Sequence, residues 1–427
     1  MLFRSQLDRN SFEVMGLRWS DNAIALHDST SKYGSIIGLH ESPLQEGLLY
    51  VGTDDGLIQV TENGGEDWRA SDSFPGVPAL SLVEDVHASA RDVDTAYAVM
   101  DNHKRGDNKP YVLKTENRGR SWQLISGDLP EATVHTITED PVDPDLLFVG
   151  TETGVFVTTD GGGHWQPLKT GLPTIAVRDL EIQPREHDLV VGTFGRGVYI
   201  LDDFSPLRGD AEALGDSEAT LFPIRDALRY LPGDKWGGSR NQHHGDGWWQ
   251  ADNPPFGALI TYYLRDGYRP ARALRREAET ERLRDGKDTP YPALETLYAE
   301  DREEDPRVVV TVRDSEGALV RRFTAPATEG LHRVAWDLRY RPVGTARPEA
   351  PPPGEVPDEL TPGPMVLPGS YQVSLHARVD GELRAIAGPQ NVLVQAYSLN
   401  PDAAEDPATV LAFQQRTAKL VEAVEAA

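Results

Sequence analysis

Apolar and polar positions between residues 36 and 201 fall into short runs punctuated by glycine and proline. "IIGLHESP" and "VHTITEDP" each predict an inner strand that stops at a turn proline, and "LLFVG" is a continuous run of β-formers. "GVFVTTD" alternates with period two, and "HWQPL" predicts a last, outer strand. This order recurs. "SPLQEGLLYVGTDDGLIQV", "SARDVDTAYAVMDNHKRGDNKPYVLK" and "DPVDPDLLFVGTETGVFVT" open three copies, and "QPREHDLVVGTFGRGVYIL" opens a fourth. Several strands per unit at such a period is the signature of propeller blades. "DNHKRGDNKP" lengthens the hairpin of the second copy.

After "YILDDFSPL" the pattern changes. Residues 208–255 carry no clear period and read as an irregular linker. "FGALITYYLRDG", "PRVVVTVRDSEGALVRRF", "GLHRVAWDLRY" and "GSYQVSLHARVDGELRAIAGPQNVLV" predict the strands of an immunoglobulin-like sandwich over 256–396. A charge-dense helical insertion at about 268–305 breaks at "KDTPYP", "RPEAPPPGEVPDELTPGP" reads as a proline-rich loop, and 397–427 is a helical tail. The expected fold class is therefore mainly all-β, with about four propeller blades in residues 1–207 ahead of the linker and sandwich. Propellers close with about four to eight blades. "FEVMGLRW" starts as if in mid-blade, so the expectation is the C-terminal part of a larger propeller, with missing blades in the N-terminal part of the same protein. Closure by a partner or a second copy is the alternative.

Three words at the ends of these hairpins share one spacing: "TENGGEDW" at 61–68, "TENRGRSW" at 115–122 and "TTDGGGHW" at 158–165. Physically each word reads as a hairpin clamp. The short side chain of Asn63, Asn117 or Asp160 accepts backbone N–H groups in an Asx-type turn. Gly65, Gly119 and Gly162 supply positive φ. Thr61, Thr115 and Thr158 tie the incoming strand to the turn, and Trp68, Trp122 and Trp165 bury a large ring. That leaves no reacting group, so the words are read as structural. They fit the Asp-box, Ser/Thr-x-Asp-x-Gly-x-x-Trp, with Asn in place of Asp in two copies. With its blades, the chain over roughly 35–396 resembles the sortilin-like bacterial Asp-box (BNR repeat) propeller proteins often labelled glycosyl hydrolases. The downstream part is similar to their immunoglobulin-like module. The resemblance implies a propeller and an exported protein, secreted or periplasmic, although "MLFRSQLDRN" has no apolar core of signal-peptide type.

Composition narrows the chemistry. A formal net charge of -26 argues against a nucleic-acid partner, which requires basic clusters. The absence of cysteine excludes disulfides, thiolate metal ligands and a cysteine nucleophile. No apolar run is long enough to span a membrane. Arg178 and Asp179 at the start of the fourth copy, Arg196 in "GTFGRG", and Trp248 and Trp249 in "NQHHGDGWWQ" are candidate binding residues. A sialidase arginine cluster cannot be assembled by spacing from Arg18, Arg178 and Arg196. His243, His244 and Asp246 are metal-type residues, but adjacent histidines diverge on an extended chain, so no metal site and no cofactor are assigned. Arg105–Asp107 spell an adhesion tripeptide that reads as a polar hairpin tip. "GTFGRG" lacks the following helix of a phosphate loop. The expected function is non-catalytic binding of a peptide, protein or glycan on the propeller face. The alternatives are a sialidase-type glycoside hydrolase and a purely structural scaffold.

Overall fold

The computed structural model describes residues 34–169, 171–208, 217–231, 254–344, 361–379, 381–397 and 406–425, with the backbone of 13–14 and 17–18. The chain divides into two units, Met1–Ala211 and Glu212–Ala427.

In the first unit a small hairpin pairs β1 (Glu13–Val14) with β2 (Leu17–Arg18). Four antiparallel sheets follow in chain order. The first is β3 (Ile36–Glu41), β4 (Leu49–Thr53), β5 (Ile58–Thr61) and β6 (Arg69–Ser71). The second is β7 (Leu82–Ala88), β8 (Ala96–Asn102), β9 (Asp107–Thr115) and β10 (Gln123–Leu124). The third is β11 (Val134–Glu139), β12 (Leu147–Thr151), β13 (Gly154–Thr158) and β14 (Gln166–Pro167). The fourth is β15 (Val177–Gln183), β16 (Asp188–Thr193) and β17 (Val198–Leu201). Strands are neighbours in both sequence and space, and each sheet packs face to face on the next. This is the architecture of propeller blades, four of them among the described residues.

Strand alternation explains the packing, because a buried β-strand sends successive side chains to opposite faces. Tyr50, Ile58 and Val60 of the first sheet meet Val83, Val86 and Leu113 of the second. Tyr97, Val99 and Val112 on the second sheet's other face meet Val134, Ile137 and Val149 of the third. Phe148, Val155 and Val157 meet Val177, Leu180 and Leu189 of the fourth. "DNHKRGDNKP" forms a short 3-10 turn, His103–Arg105, between β8 and β9. The outer strands are shorter than predicted: "HWQPL" supplies a strand of only two residues, Gln166–Pro167, followed by one further bond from the Leu168 N–H to Val155 O at 2.9 Å.

In the second unit, β18 (Ala219–Leu221), β20 (Ala258–Leu264) and β23 (Gly330–Trp336) form one sheet. The other sheet runs β19 (Ala227–Arg229), β25 (Glu382–Ala396), β24 (Gly369–Val379), β21 (Arg307–Asp314), β22 (Leu319–Ala325). The two sheets share one core built around Tyr262, Trp336, Val310, Val373 and Leu375. Helices α1 (Ala271–Arg284) and α2 (Leu294–Arg302) interrupt the strands where charge density predicts them, and α3 (Pro407–Glu425) follows. The strands β18 and β19 lie inside the stretch read as an irregular linker. At three residues each they are too short to show a period, and their place comes from pairing with β20 and β25.

Candidate functional site

The three tryptophan words fold as one motif repeated. In each, the threonine hydroxyl donates to the side-chain oxygen two residues on: Thr61 to Asn63 at 2.9 Å, Thr115 to Asn117 at 3.0 Å and Thr158 to Asp160 at 2.7 Å. The same hydroxyl accepts the N–H of Gly65, Gly119 or Gly162 at 2.9, 2.9 and 3.1 Å. The Asn or Asp oxygen then accepts the N–H four residues on, from Asp67, Ser121 or His164, at 3.0, 2.8 and 3.0 Å. All three glycines have positive φ, and at Gly162 a Cβ would stand 2.6 Å from the Ile125 carbonyl of the preceding sheet. The tryptophans differ from one another. Trp165 Nε1 donates to Ile125 O at 3.1 Å, whereas Trp122 Nε1 is buried with no partner. Trp68 is only half-buried, and its Nε1 donates to Gly65 O at 3.1 Å.

The carboxylate of Asp160 lies below its ordinary range. Burial pushes the other way, but the His164 N–H, the Thr158 hydroxyl, the His164 ring and the Gly163 N–H outweigh it. These groups use up the acceptor capacity of the clamp, so the words hold turns.

The polar centre of the unit lies elsewhere, on the first strands β3, β7, β11 and β15, which lie side by side. Each of these strands breaks register at one residue near its start. The breaks fall at Ile36/Gly38, Val83/Asp85, Val134/Thr136 and Val177/Asp179. The extra residues are Ile37, Glu84, His135 and Arg178. A bulge re-aims its side chain, and here equivalent bulges bring three polar residues of successive sheets together. Arg178 Nη1 lies 3.0 Å from His135 Nδ1, and Arg178 Nη2 donates to Glu152 Oε1 at 3.0 Å. His135 Nε2 lies 3.0 Å from the same Glu152 oxygen. His135 Nδ1 also lies 3.3 Å from Glu84 Oε1, so the imidazole is bracketed by Glu84, Glu152 and Arg178. Glu84 Oε1 is 3.9 Å from Arg178 Nη1. The His135 side chain is buried, while those of Arg178 and Glu152 are nearly half exposed. The guanidinium also lies 5.6 Å from the centre of the exposed Phe194 ring.

Beyond the bulges, buried polar groups stitch the sheets. The Ala88 N–H donates to His40 Nδ1 at 2.9 Å, and the two imidazoles of His40 and His87 stack at 4.9 Å. Burial lowers both histidines, His87 to about 3, so both are neutral at pH 7. Asp85 accepts the Thr136 hydroxyl at 2.9 Å and the Ile137 N–H at 3.1 Å; burial raises its pKa against these donors. Glu139, also raised chiefly by burial, accepts Ser89 Oγ at 2.5 Å and the Tyr97 hydroxyl at 3.0 Å. These carboxyls are engaged as braces between sheets.

Among the residues predicted from sequence, Arg178 is central to the rim network. Asp179 is exposed and follows it on β15, and Arg196 is exposed in the turn between β16 and β17. Trp248, Trp249, His243, His244 and Asp246 lie outside the described residues. The side chain of Arg18 does so too. Arg105 donates to the Ala79 and Leu80 carbonyls at 3.0 Å, and Asp107 accepts the Tyr111 hydroxyl at 2.6 Å, so the tripeptide is tied into its hairpin. Sequence reasoning missed Glu84, His135, Glu152 and Phe194. Aligning the four copies places Ile37, Glu84, His135 and Arg178 in one column, but the four share no residue type that would mark a site. Among the described residues no group of three or more His, Asp or Glu is placed to hold a metal ion, and no helix is long and apolar enough to cross a membrane.

Fold and site together define the class: a mainly all-β, partial β-propeller with a polar rim built by bulges of its first strands. No family model and no curated protein sequence matches the chain. Solved structures are similar to part of it. A GH74 enzyme of Niastella koreensis matches with a TM-score of 0.33 at 13% identity, over 40% of this chain and 29% of that one. YCF48 bound to D1 peptide matches at 0.31 and 17% identity, over 40% and 52%. The Cps50 (Swd1) β-propeller domain of Myceliophteria thermophila matches at 0.30 and 12%, over 39% and 51%. The matched region thus spans less than a third of the first and about half of the other two. The propeller assignment rests on the sheet topology of the chain itself.

Proposed function

We propose that the first unit is a non-catalytic binding scaffold whose ligand, a peptide, protein segment or glycan, docks on the rim around Arg178. The observation that carries this reading is the juxtaposition of Glu84, His135 and Arg178 from three successive sheets beside the exposed ring of Phe194. A half-exposed guanidinium held by a buried imidazole is a preorganised donor, and an apolar ring next to it offers a stacking surface. The reading includes an Asp-box propeller of the sortilin-like type, an immunoglobulin-like second unit and an exported protein. The hydrolase alternative is not favoured: the raised carboxyls Asp85 and Glu139 are occupied by protein donors.

The test is a peptide and polysaccharide array probed with the full chain, alongside fluorogenic glycosides that include a sialoside. Arg178→Ala is expected to weaken array binding about tenfold, the loss of about 1.4 kcal/mol, with the melting temperature held. Glycoside turnover abolished by Arg178→Ala would replace binding with hydrolysis.

A further inference from the structure

The fourth sheet presents an open apolar face. Register aligns Val198 and Ile200, opposite Gly192 and Val190, with Val155 and Val157, opposite Gly150 and Phe148. It aligns them equally with Ile58 and Val60, opposite Gly52 and Tyr50. In the earlier sheets the next sheet covers these positions. Val155 and Val157 are 1% and 9% exposed, whereas Val198 and Ile200 are 63% and 59% exposed. The opposing glycines follow the same rule. A Cβ on Gly52 would run into Val83 of the second sheet, and one on Gly150 into Val177 of the fourth. The atoms nearest a Cβ on Gly192 all belong to Asp179 of its own sheet.

The first sheet carries the matching half. Ile36 precedes its bulge as Val83 and Val177 precede theirs, and Leu39 stands where Val86 and Leu180 stand. Val86 is 2% exposed against the preceding sheet, and Leu39 is 59% exposed.

We propose that the open face of the fourth sheet receives the first sheet of a second copy of this chain, with Ile36 seated over Gly192 and Leu39 against Val198 and Ile200. The chain uses this interface three times internally, between successive sheets, and each end of the series carries the half the other lacks. Two copies related by a two-fold axis cover both open faces at once, residue i meeting j and j meeting i. The described sheets of two copies number eight, within the usual four to about eight blades of a closed ring.

The test is sedimentation equilibrium of the full chain and of two variants, Ile200→Glu and Leu39→Glu. The wild type is expected at twice the chain mass. Each variant alone is expected to be a monomer with an unchanged melting transition. The two variants mixed are expected to recover a dimer, because one intact interface remains between them. Val198→Lys replaces Ile200→Glu if that variant does not fold. A wild-type monomer at every concentration would overturn the proposal and assign the face to some other sheet. A dimer that survives both substitutions would place the contact elsewhere and overturn it equally.

Discussion

At the scale of single residues, Asp160 and His164 form a pair with a defined pH window. The Asp160 carboxylate is depressed from its ordinary 3.8, so its contribution is present above that value and fades as pH falls through the folded value. His164, bonded through Nδ1 to Asp160 at 2.7 Å, is raised from 6.5, so its contribution is present below 6.5 and fades as pH rises through the folded value. The pair therefore stabilises most between about 3.8 and 6.5. Thermal melts of His164→Ala against wild type are expected to differ most inside that window and to converge above the raised histidine value. A difference that is flat with pH would show that the imidazole is not bonded to the carboxylate. Much at this scale was legible, because each clamp residue is local: the threonine, the Asx side chain and the glycine lie within five positions. The His164 contact is equally local and was overlooked because His164 fills a variable position of the word.

At the scale of elements, the clamps differ in what their tryptophans do. Trp165 satisfies the Ile125 carbonyl, while Trp122 buries an unpaired N–H. Replacing Trp165 by Ala is expected to cost about 3–5 kcal/mol in denaturant melts. The Phe variants separate the two sites: Trp165→Phe strands a carbonyl, whereas Trp122→Phe removes an unsatisfied donor, so Trp122→Phe should be the milder. Equal losses would contradict the assigned bonds. Asp85 gives a further test. Its raised pKa means that the ionised form is disfavoured on folding, so stability falls as pH rises from 3.8 through the folded value. Asp85→Asn keeps an acceptor for Thr136 and Ile137 and removes the buried charge. Its melting temperature at pH 7 is expected to match or exceed wild type, and Asp85→Ala to fall below it. Strand order was readable from periodicity, since each first-unit sheet is a meander of sequence neighbours. The bulges were not. One extra residue in a strand leaves no mark in one copy, and it is the bulge that turns Glu84, His135 and Arg178 toward each other. β18 and β19 were hidden for a different reason, since partners far along the chain define them.

At the scale of the molecule, the elements that make the first unit rigid and the rim proposed to bind lie in different places. The repeated words hold the outer hairpins, and three apolar layers and a set of buried braces lock sheet to sheet. The rim that remains polar and half exposed is carried by first strands those layers immobilise. A site on such strands is placed more precisely than one on loops. The account's central claim is that the Asp160 word is structural and the Arg178 rim is functional. Its most direct measurement compares Asp160→Ala and Arg178→Ala, each by melting temperature and by binding to the same peptide and polysaccharide array. The predicted result is that Asp160→Ala lowers the melting temperature and leaves the folded protein binding, while Arg178→Ala weakens binding and leaves the melting temperature unchanged. Loss of binding by Asp160→Ala at an unchanged melting temperature, with Arg178→Ala still binding, would contradict it.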